Sequence, residues 1–198
     1  MIKYPNGKVY IPPKRDLTSE NKPVKNIFNA ANRGMGLEED INLSNEYYNN
    51  LGLCLIYKRP TPVRIVKCDY SSSRKITEAY FSEKSTTDYN GVYKGRYMDF
   101  EAKETESKTS FSYHNIRPQQ IIHLKSVIKQ NGIAFFIVRM KYYSETYLLK
   151  CEDLFAYMEL NSRKSLPYSF LKEKGYLIKE GYSPRLEYLS AVDRAFFN

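Results

Sequence analysis

An α/β fold with a central mixed β-sheet flanked by helices is the architecture this sequence predicts, and three observations predict it. Short runs of β-forming residues, LCLIY (53–57), VRIVK (63–67) and IAFFIVR (133–139), alternate with segments of helical period at 36–51, 118–130 and 188–197. Their order is helix, several strands, helix, two strands, then helices, the pattern of a sheet layered between helices. At 198 residues and 42% hydrophobic content, the chain can also bury one ordinary core without disulfide staples.

Taken in order, residues 1–33 carry Lys3, Lys8, Lys14, Arg15, Lys22, Lys25 and Arg33 against Asp16 and Glu20, with Pro5, Pro12, Pro13 and Pro23. That composition predicts a basic flexible tail, open equally to being a solvated leader or an arm that orders on phosphate, followed by a single domain over 34–198. The helix over 36–51 rests on Leu37, Ile41, Ser44, Tyr48 and Leu51, with Gly52 placed to end it. Glu38 and Glu39 in its first turn suit the helix dipole. Strands at 53–57 and 63–67 are parted by Arg59-Pro60-Thr61-Pro62, where two residues lacking an N–H turn the chain away from a ladder. The run SSSRK (71–75) is loop-like, and TEAYF (77–81) is another strand. Beyond a polar loop after Lys103, a helix over 118–130 has Asn115 near its cap, Pro118 in its first turn and Ile121, Leu124, Val127 and Ile128 as its apolar stripe. The continuous apolar run 133–139 predicts a strand buried on both faces, and 142–149 a more amphipathic one. Short helices at 152–160 and 167–174 and a last one at 188–197 complete the chain.

The chemistry concentrates in 85–105, STTDYNGVYKGRYMDFEAKET. Strand alternation over 96–103 puts Tyr97, Asp99, Glu101 and Lys103 on one face and Met98, Phe100 and Ala102 on the other, so one side can be core and the other a site. Asp88 comes before this strand, across a connection with Gly91 and Gly95 that suits a hairpin. Two carboxylates with a lysine two residues beyond the second can hold a hard divalent cation and stabilise charge on a phosphate. If 86–88 is extended, Thr86 shares the face of Asp88; in a β-turn STTD the hydroxyls would satisfy only backbone groups. Asp99 is either a further acid of the site or a partner for Lys94 or Arg96. His114 and His123 are the only histidines, which argues against a histidine-based nuclease, and His123 is expected to pack or hydrogen-bond.

With 31 Lys and Arg against 22 Asp and Glu, the net charge of +9 favours a polyanionic partner, nucleic acid first. Cys54, Cys68 and Cys151 are an odd number without CxxC spacing, which predicts reduced thiols and speaks against zinc. No apolar run suits a signal peptide or a membrane span, so the expected location is the cytoplasm, with no membrane partner.

Asp88 followed by Glu101-x-Lys103 resembles the PD-(D/E)xK nuclease superfamily, the restriction-endonuclease-like fold. YPNGK (4–8), NRGMGLEEDI (32–41), KRPTPVRIV (58–66), EAYF (78–81), the 85–105 block and YSPRLEYL (182–189) are together similar to the RecU family of bacterial Holliday junction resolvases, through nearly the whole chain. The resemblance implies a homodimer that nicks four-way branched DNA symmetrically with magnesium, for which manganese can substitute, in homologous recombination and DNA repair. It implies Thr86, Asp88, Glu101 and Gln120 as metal ligands, and Lys103 as the transition-state stabiliser beside the catalytic Asp88 and Glu101. Gln119 adjoins Gln120, but Gln120 lies four residues before Leu124 on the same helix face. The family's protruding stalk matches about 59–80, with Arg33, Arg59, Arg64, Arg74 and Lys75 as candidate DNA contacts, although SSSRK departs from the more usual PKRS-like text. The RecA recombinase and a branch-migration helicase are the implied further partners. Two other readings are a general structure-selective nuclease of the same fold and a DNA-binding, strand-annealing modulator of a recombinase.

Overall fold

In a computed structural model, residues 36–70, 75–81, 87–114 and 116–197 are described, all within one compact unit, Gly36–Asn198. The expected tail over 1–33, with Arg33, lies outside the described residues, as do Arg74, Thr86 and Asn115.

The helices are α1 (Leu37–Asn50), α2 (Pro118–Lys129), α3 (Cys151–Leu160), α4 (Tyr168–Lys174) and α5 (Tyr188–Phe196). The strands are β1 (Leu55–Lys58), β2 (Val63–Asp69), β3 (Lys75–Phe81), β4 (Tyr89–Tyr93), β5 (Arg96–Thr105), β6 (Ser110–Ser112), β7 (Ile133–Met140), β8 (Glu145–Lys150), β9 (Ser165–Pro167) and β10 (Tyr176–Ile178). Six of them form one mixed sheet in the order β1-β4-β5-β7-β8-β10. Only β5 and β7 are parallel within it, and α2 lies in the crossover between them. The mixed sheet between helical layers is the predicted architecture.

β7 is buried at all eight positions, as its unbroken apolar run requires. Ile133, Phe135 and Ile137 join Met98 and Phe100 of β5 against α1 and α5, through Ile41, Tyr48, Tyr188 and Val192. Phe136 and Val138 on the opposite face pack with Leu124 and Val127 of α2, Leu154 of α3 and Leu171 of α4. A buried ion network ties α1 to the sheet. Arg139 Nη2 reaches Asp40 Oδ2 at 2.7 Å and Glu180 Oε1 at 3.3 Å, and Arg185 Nε reaches Asp40 Oδ1 at 3.1 Å.

Between β4 and β5 only Lys94 and Gly95 intervene, with φ of 47° and 75°. Two left-handed residues make the primed turn whose twist suits a two-residue hairpin, and the turn fixes the register. Asn90 then faces Asp99 and Tyr89 faces Phe100, which sets Asp88 opposite Glu101 one step beyond the ladder. At Gly91 an added Cβ would lie 2.0 Å from Leu55 O, so only glycine lets β1 approach β4 this closely.

β2 and β3 leave the main sheet after the prolines and pair only with each other. Their residues are exposed except for Cys68 and Glu78, which are half-buried. The segment expected as loop after Lys103 differs in two ways. β5 runs on to Thr105, and Ser110–Ser112 forms a small sheet with Ser165–Pro167. Over 142–149 the strand starts later, at Glu145, because a 3₁₀ turn, Lys141–Tyr143, comes first.

Candidate active site

On β5 the alternation holds: Met98, Phe100 and Ala102 enter the core shared with α1 and α5, while Asp99, Glu101 and Lys103 lie on the face beneath α2. Glu101 is 1% exposed. Its Oε1 accepts Lys103 Nζ at 2.5 Å and Gln120 Nε2 at 2.7 Å. Its Oε2 is buried and has no hydrogen-bond partner. Asp88 is half-buried, and its Oδ2 accepts the Ala102 N–H at 3.0 Å across the extended β4–β5 register.

Gln120 reaches the site because of where it sits in α2. Arg117 is the N-cap and Pro118 occupies the first turn, where the missing N–H costs nothing. Gln120 Oε1 accepts the Arg117 N–H at 3.0 Å, which turns its NH₂ toward Glu101. An amide is the side chain that can accept from a cap and donate to a carboxylate at once. Of the two adjacent glutamines, Gln120 is therefore the one joined to Glu101.

Burial is the main cause that raises the carboxyl pKa of both Asp88 and Glu101. The charge of Asp88 pushes Glu101 further up, while Lys103 and Gln120 oppose the rise. For Asp88 the Ala102 N–H is the leading opposing influence, followed by Lys103. Two desolvated carboxylates facing one another favour a cation between them. An open Glu101 oxygen and the neighbouring Asp88 carboxylate fit a hard divalent ion by the chemistry of their oxygens, whereas the Gln120 oxygen is held by the Arg117 N–H and its NH₂ faces Glu101. Among the described residues no three His, Cys, Asp or Glu side chains cluster for a metal, so the oxygens on offer here are those of two carboxylates.

On the α1 side of β5, a cleft of about 450 Å³ opens along the first turn of that helix, lined by Gly36, Leu37, Glu38, Glu39, Ala102 and Glu104 among others. Glu38 pairs with Lys58 at 2.6 Å.

Asp99, two residues before Glu101, contrasts with it. It is fully buried and accepts Arg59 Nη2 at 2.8 Å, Tyr97 OH at 2.9 Å and His123 Nε2 at 2.7 Å on Oδ2. The Thr87 hydroxyl donates to Oδ1. Of the two alternatives for Asp99, this excludes pairing with Lys94 or Arg96: Lys94 bonds Asp193, and Arg96 bonds the Asn131 carbonyl. His123 hydrogen-bonds, as its place in the helix suggested. Arg59 stands at the site with its guanidinium on Asp99 and Tyr97, whereas Arg64 and Lys75 are exposed on β2 and β3. The strand alternation exposed Asp99 in the sequence. Its partners could not be found there, since Arg59 and His123 lie 40 and 24 residues away.

A model of the RecU family, described as recombination protein U, matches residues 32–194. The chain is 47% identical to the Holliday junction resolvase RecU of Bacillus licheniformis, over 100% of this chain and 99% of that one. It is 46% identical to that of Geobacillus kaustophilus, over 99% and 98%, and 45% identical to that of Bacillus subtilis, over 100% and 97%. Among solved structures, the Holliday junction resolvase Hjc of Archaeoglobus fulgidus aligns with 45% of this chain and 67% of its own, at TM-score 0.33 and 12% identity, a likeness too slight to argue from.

Proposed function

The chain belongs to the RecU family, and on that premise we propose that it is a magnesium-dependent endonuclease that resolves Holliday junctions by symmetric nicking during homologous recombination and DNA repair. The observation that carries the reading is the buried, unpartnered Oε2 of Glu101, beside Asp88 and within one strand of Lys103. An orphaned acceptor on a buried carboxylate is costly unless something occupies the place during function.

Asp88 and Glu101 would hold the ion, with Thr86, which lies outside the described residues, and Gln120, once its oxygen turns from the Arg117 N–H, completing its ligands. A divalent cation there, magnesium with manganese as substitute, would supply an activated water and neutralise charge on the phosphate. The chain's own groups do the rest. Gln120 keeps Glu101 Oε1 occupied, which leaves Oε2 facing the site. As water adds to phosphorus and the bond to the leaving oxygen breaks, Lys103 Nζ meets the growing negative charge on the phosphate.

Several observations support the rest of the reading. The net charge of +9 suits DNA, and Arg64 and Lys75 on the exposed hairpin are the proposed phosphate contacts, with Arg33 and Arg74 outside the described residues. Arg59, the remaining candidate, is already engaged by Asp99 and is therefore not counted among the proposed phosphate contacts. A two-stranded sheet standing alone is marginal in water. Val63, Ile65, Ile76, Tyr80 and Phe81 expose apolar surface on the hairpin, as Leu55 and Tyr57 do on the edge strand β1, which supports a homodimer with one site for each nicked strand. Among the described residues no helix is long and apolar enough to cross a membrane. The proposal places the protein on DNA in the cytoplasm, with the RecA recombinase and a branch-migration helicase as partners suggested by the family resemblance.

The test is a synthetic mobile four-way junction incubated with the purified chain, with and without magnesium, beside a linear duplex. Paired symmetric nicks in the junction alone, and only with the ion, are expected. Equal cutting of linear duplex would mean a general nuclease, and annealing or binding without cutting would sink the enzymatic reading.

A further inference from the structure

We propose that Asp99, Arg59 and His123 form a positioning unit for the ion site, in which Arg59 acts through Asp99 rather than chiefly as a DNA contact. The inference rests on the metal-dependent reading above and concerns how the chain brings its ligands together.

The candidate ligands come from separate segments: Asp88 before β4, Glu101 from β5 and Gln120 from α2. Asp99 ties these segments at one point. Through its Oδ1 it holds Thr87, the residue before Asp88. Through its Oδ2 it holds Arg59, whose backbone N–H in turn donates to the Asp88 carbonyl at 2.7 Å. His123, also on Oδ2, lies three residues after Gln120 on one helical face. The carboxylate can only accept from the ring, so His123 Nε2 carries the hydrogen. The backbone at Asp88 is thus fixed twice, by the Thr87 hydroxyl just before it and by its own carbonyl, and α2 is pinned so that the Gln120 amide meets Glu101.

The state of Arg59 supports a positioning role. Its Nε is buried without a partner while Nη2 is shared between Asp99 and Tyr97. A guanidinium kept for phosphate would lose nothing by standing in water; this one is turned inward and leaves a donor unsatisfied. Groups that orient metal ligands through such bonds change metal affinity about 10- to 100-fold when removed.

The experiment uses the full chain with Arg59→Met, His123→Ala and His123→Gln. Two quantities are read: the magnesium concentration giving half of the ion-induced rise in melting temperature, and junction affinity in EDTA. Arg59→Met and His123→Ala are expected to raise the magnesium midpoint about tenfold while leaving junction affinity unchanged, and His123→Gln, whose amide reaches Asp99, to restore it. If His123→Ala does not fold, Arg59→Met carries the test, since its side chain is 25% exposed. A variant that melts lower but keeps the midpoint marks a merely structural cluster and overturns the proposal. So does weakened junction affinity at an unchanged midpoint, which marks Arg59 as a phosphate contact. If the unsubstituted chain shows neither magnesium-dependent melting nor cutting, the proposed function falls and this inference with it; if it shows both and the variants keep its midpoint, this inference alone falls.

Discussion

Asp99 and Glu101 stand two residues apart on one face of β5, both essentially buried, and they are finished differently. Asp99 accepts bonds from Thr87, Arg59, Tyr97 and His123. Glu101 shares one oxygen between Lys103 and Gln120 and leaves the other without a partner. The Arg139 network resembles Asp99, since both oxygens of Asp40 are paired with arginine. A buried carboxylate that is fully bonded holds segments together, whereas one left short of partners is a place the fold has kept for something else. Burial alone would not have separated the two.

The largest effect should come from the open end of the pair. Asp88→Asn and Glu101→Gln are expected to lower junction cleavage on the order of 10³-fold, the loss of several kcal/mol of charge stabilisation. Junction affinity in EDTA should hold, because the proposed phosphate contacts lie elsewhere. Glu101→Gln should melt no lower than the unsubstituted chain, since it removes a desolvated charge. Lys103→Met follows, with a loss of about 10²-fold in cleavage, the cost expected of the proposed donor to developing charge. Cleavage time courses and thermal melts check both; a strongly destabilised Glu101→Gln would break the contrast with Asp99.

From the bonded end, Asp99→Ala should destabilise the chain by about 3 kcal/mol, as it strands the guanidinium and three other donors. The low end of the range for breaking a buried pair applies, because Arg59 is 25% exposed and water can reach it. Urea unfolding with the ion absent measures this directly. A change below about 0.5 kcal/mol, the ordinary scale of a surface substitution, would mean that the four bonds hold little.

The sequence made the open end legible and the bonded end opaque, for a physical reason. Asp88, Glu101 and Lys103 lie within one hairpin whose turn residues, Lys94 and Gly95, set the register, so local alternation was enough to assemble them. Gln120 was reachable through helix period and family resemblance, although its cap is Arg117, a residue type without a capping preference. The long apolar run of β7 announced a strand buried on both faces. β6 and β9 did not announce themselves: each has three residues, they pair across more than 50 positions, and neither shows a period. The partners of Asp99 and the Arg139–Asp40 pair, 99 residues apart, are set only when the sheet and helices close. Long-range bonds leave no periodic trace, and on this chain they mostly belong to the scaffold.

The smallest expected effect is the dependence of stability on pH, and it sharpens the comparison most. Burial raises the folded carboxyl pKa of both Asp88 and Glu101 above the ordinary carboxylate range. Between the ordinary and the raised values the folded chain holds more protons than the unfolded one, so stability falls with rising pH. Their contribution is whole below the unfolded values and is lost as pH climbs through the folded ones. Lys103 and Gln120 limit the rise at Glu101, and the Ala102 N–H, Lys103 and Lys58 limit it at Asp88, with Glu38 acting the other way. Ion-free urea melts across the acidic range should therefore show a downward slope above the ordinary carboxylate values that Glu101→Gln flattens. On the proposed function magnesium would bind the charged pair, so its stabilising effect should grow with pH over the same window. A slope identical in Glu101→Gln and the unsubstituted chain would show that the open carboxylate carries no such strain, and the contrast with Asp99 would then rest on geometry alone.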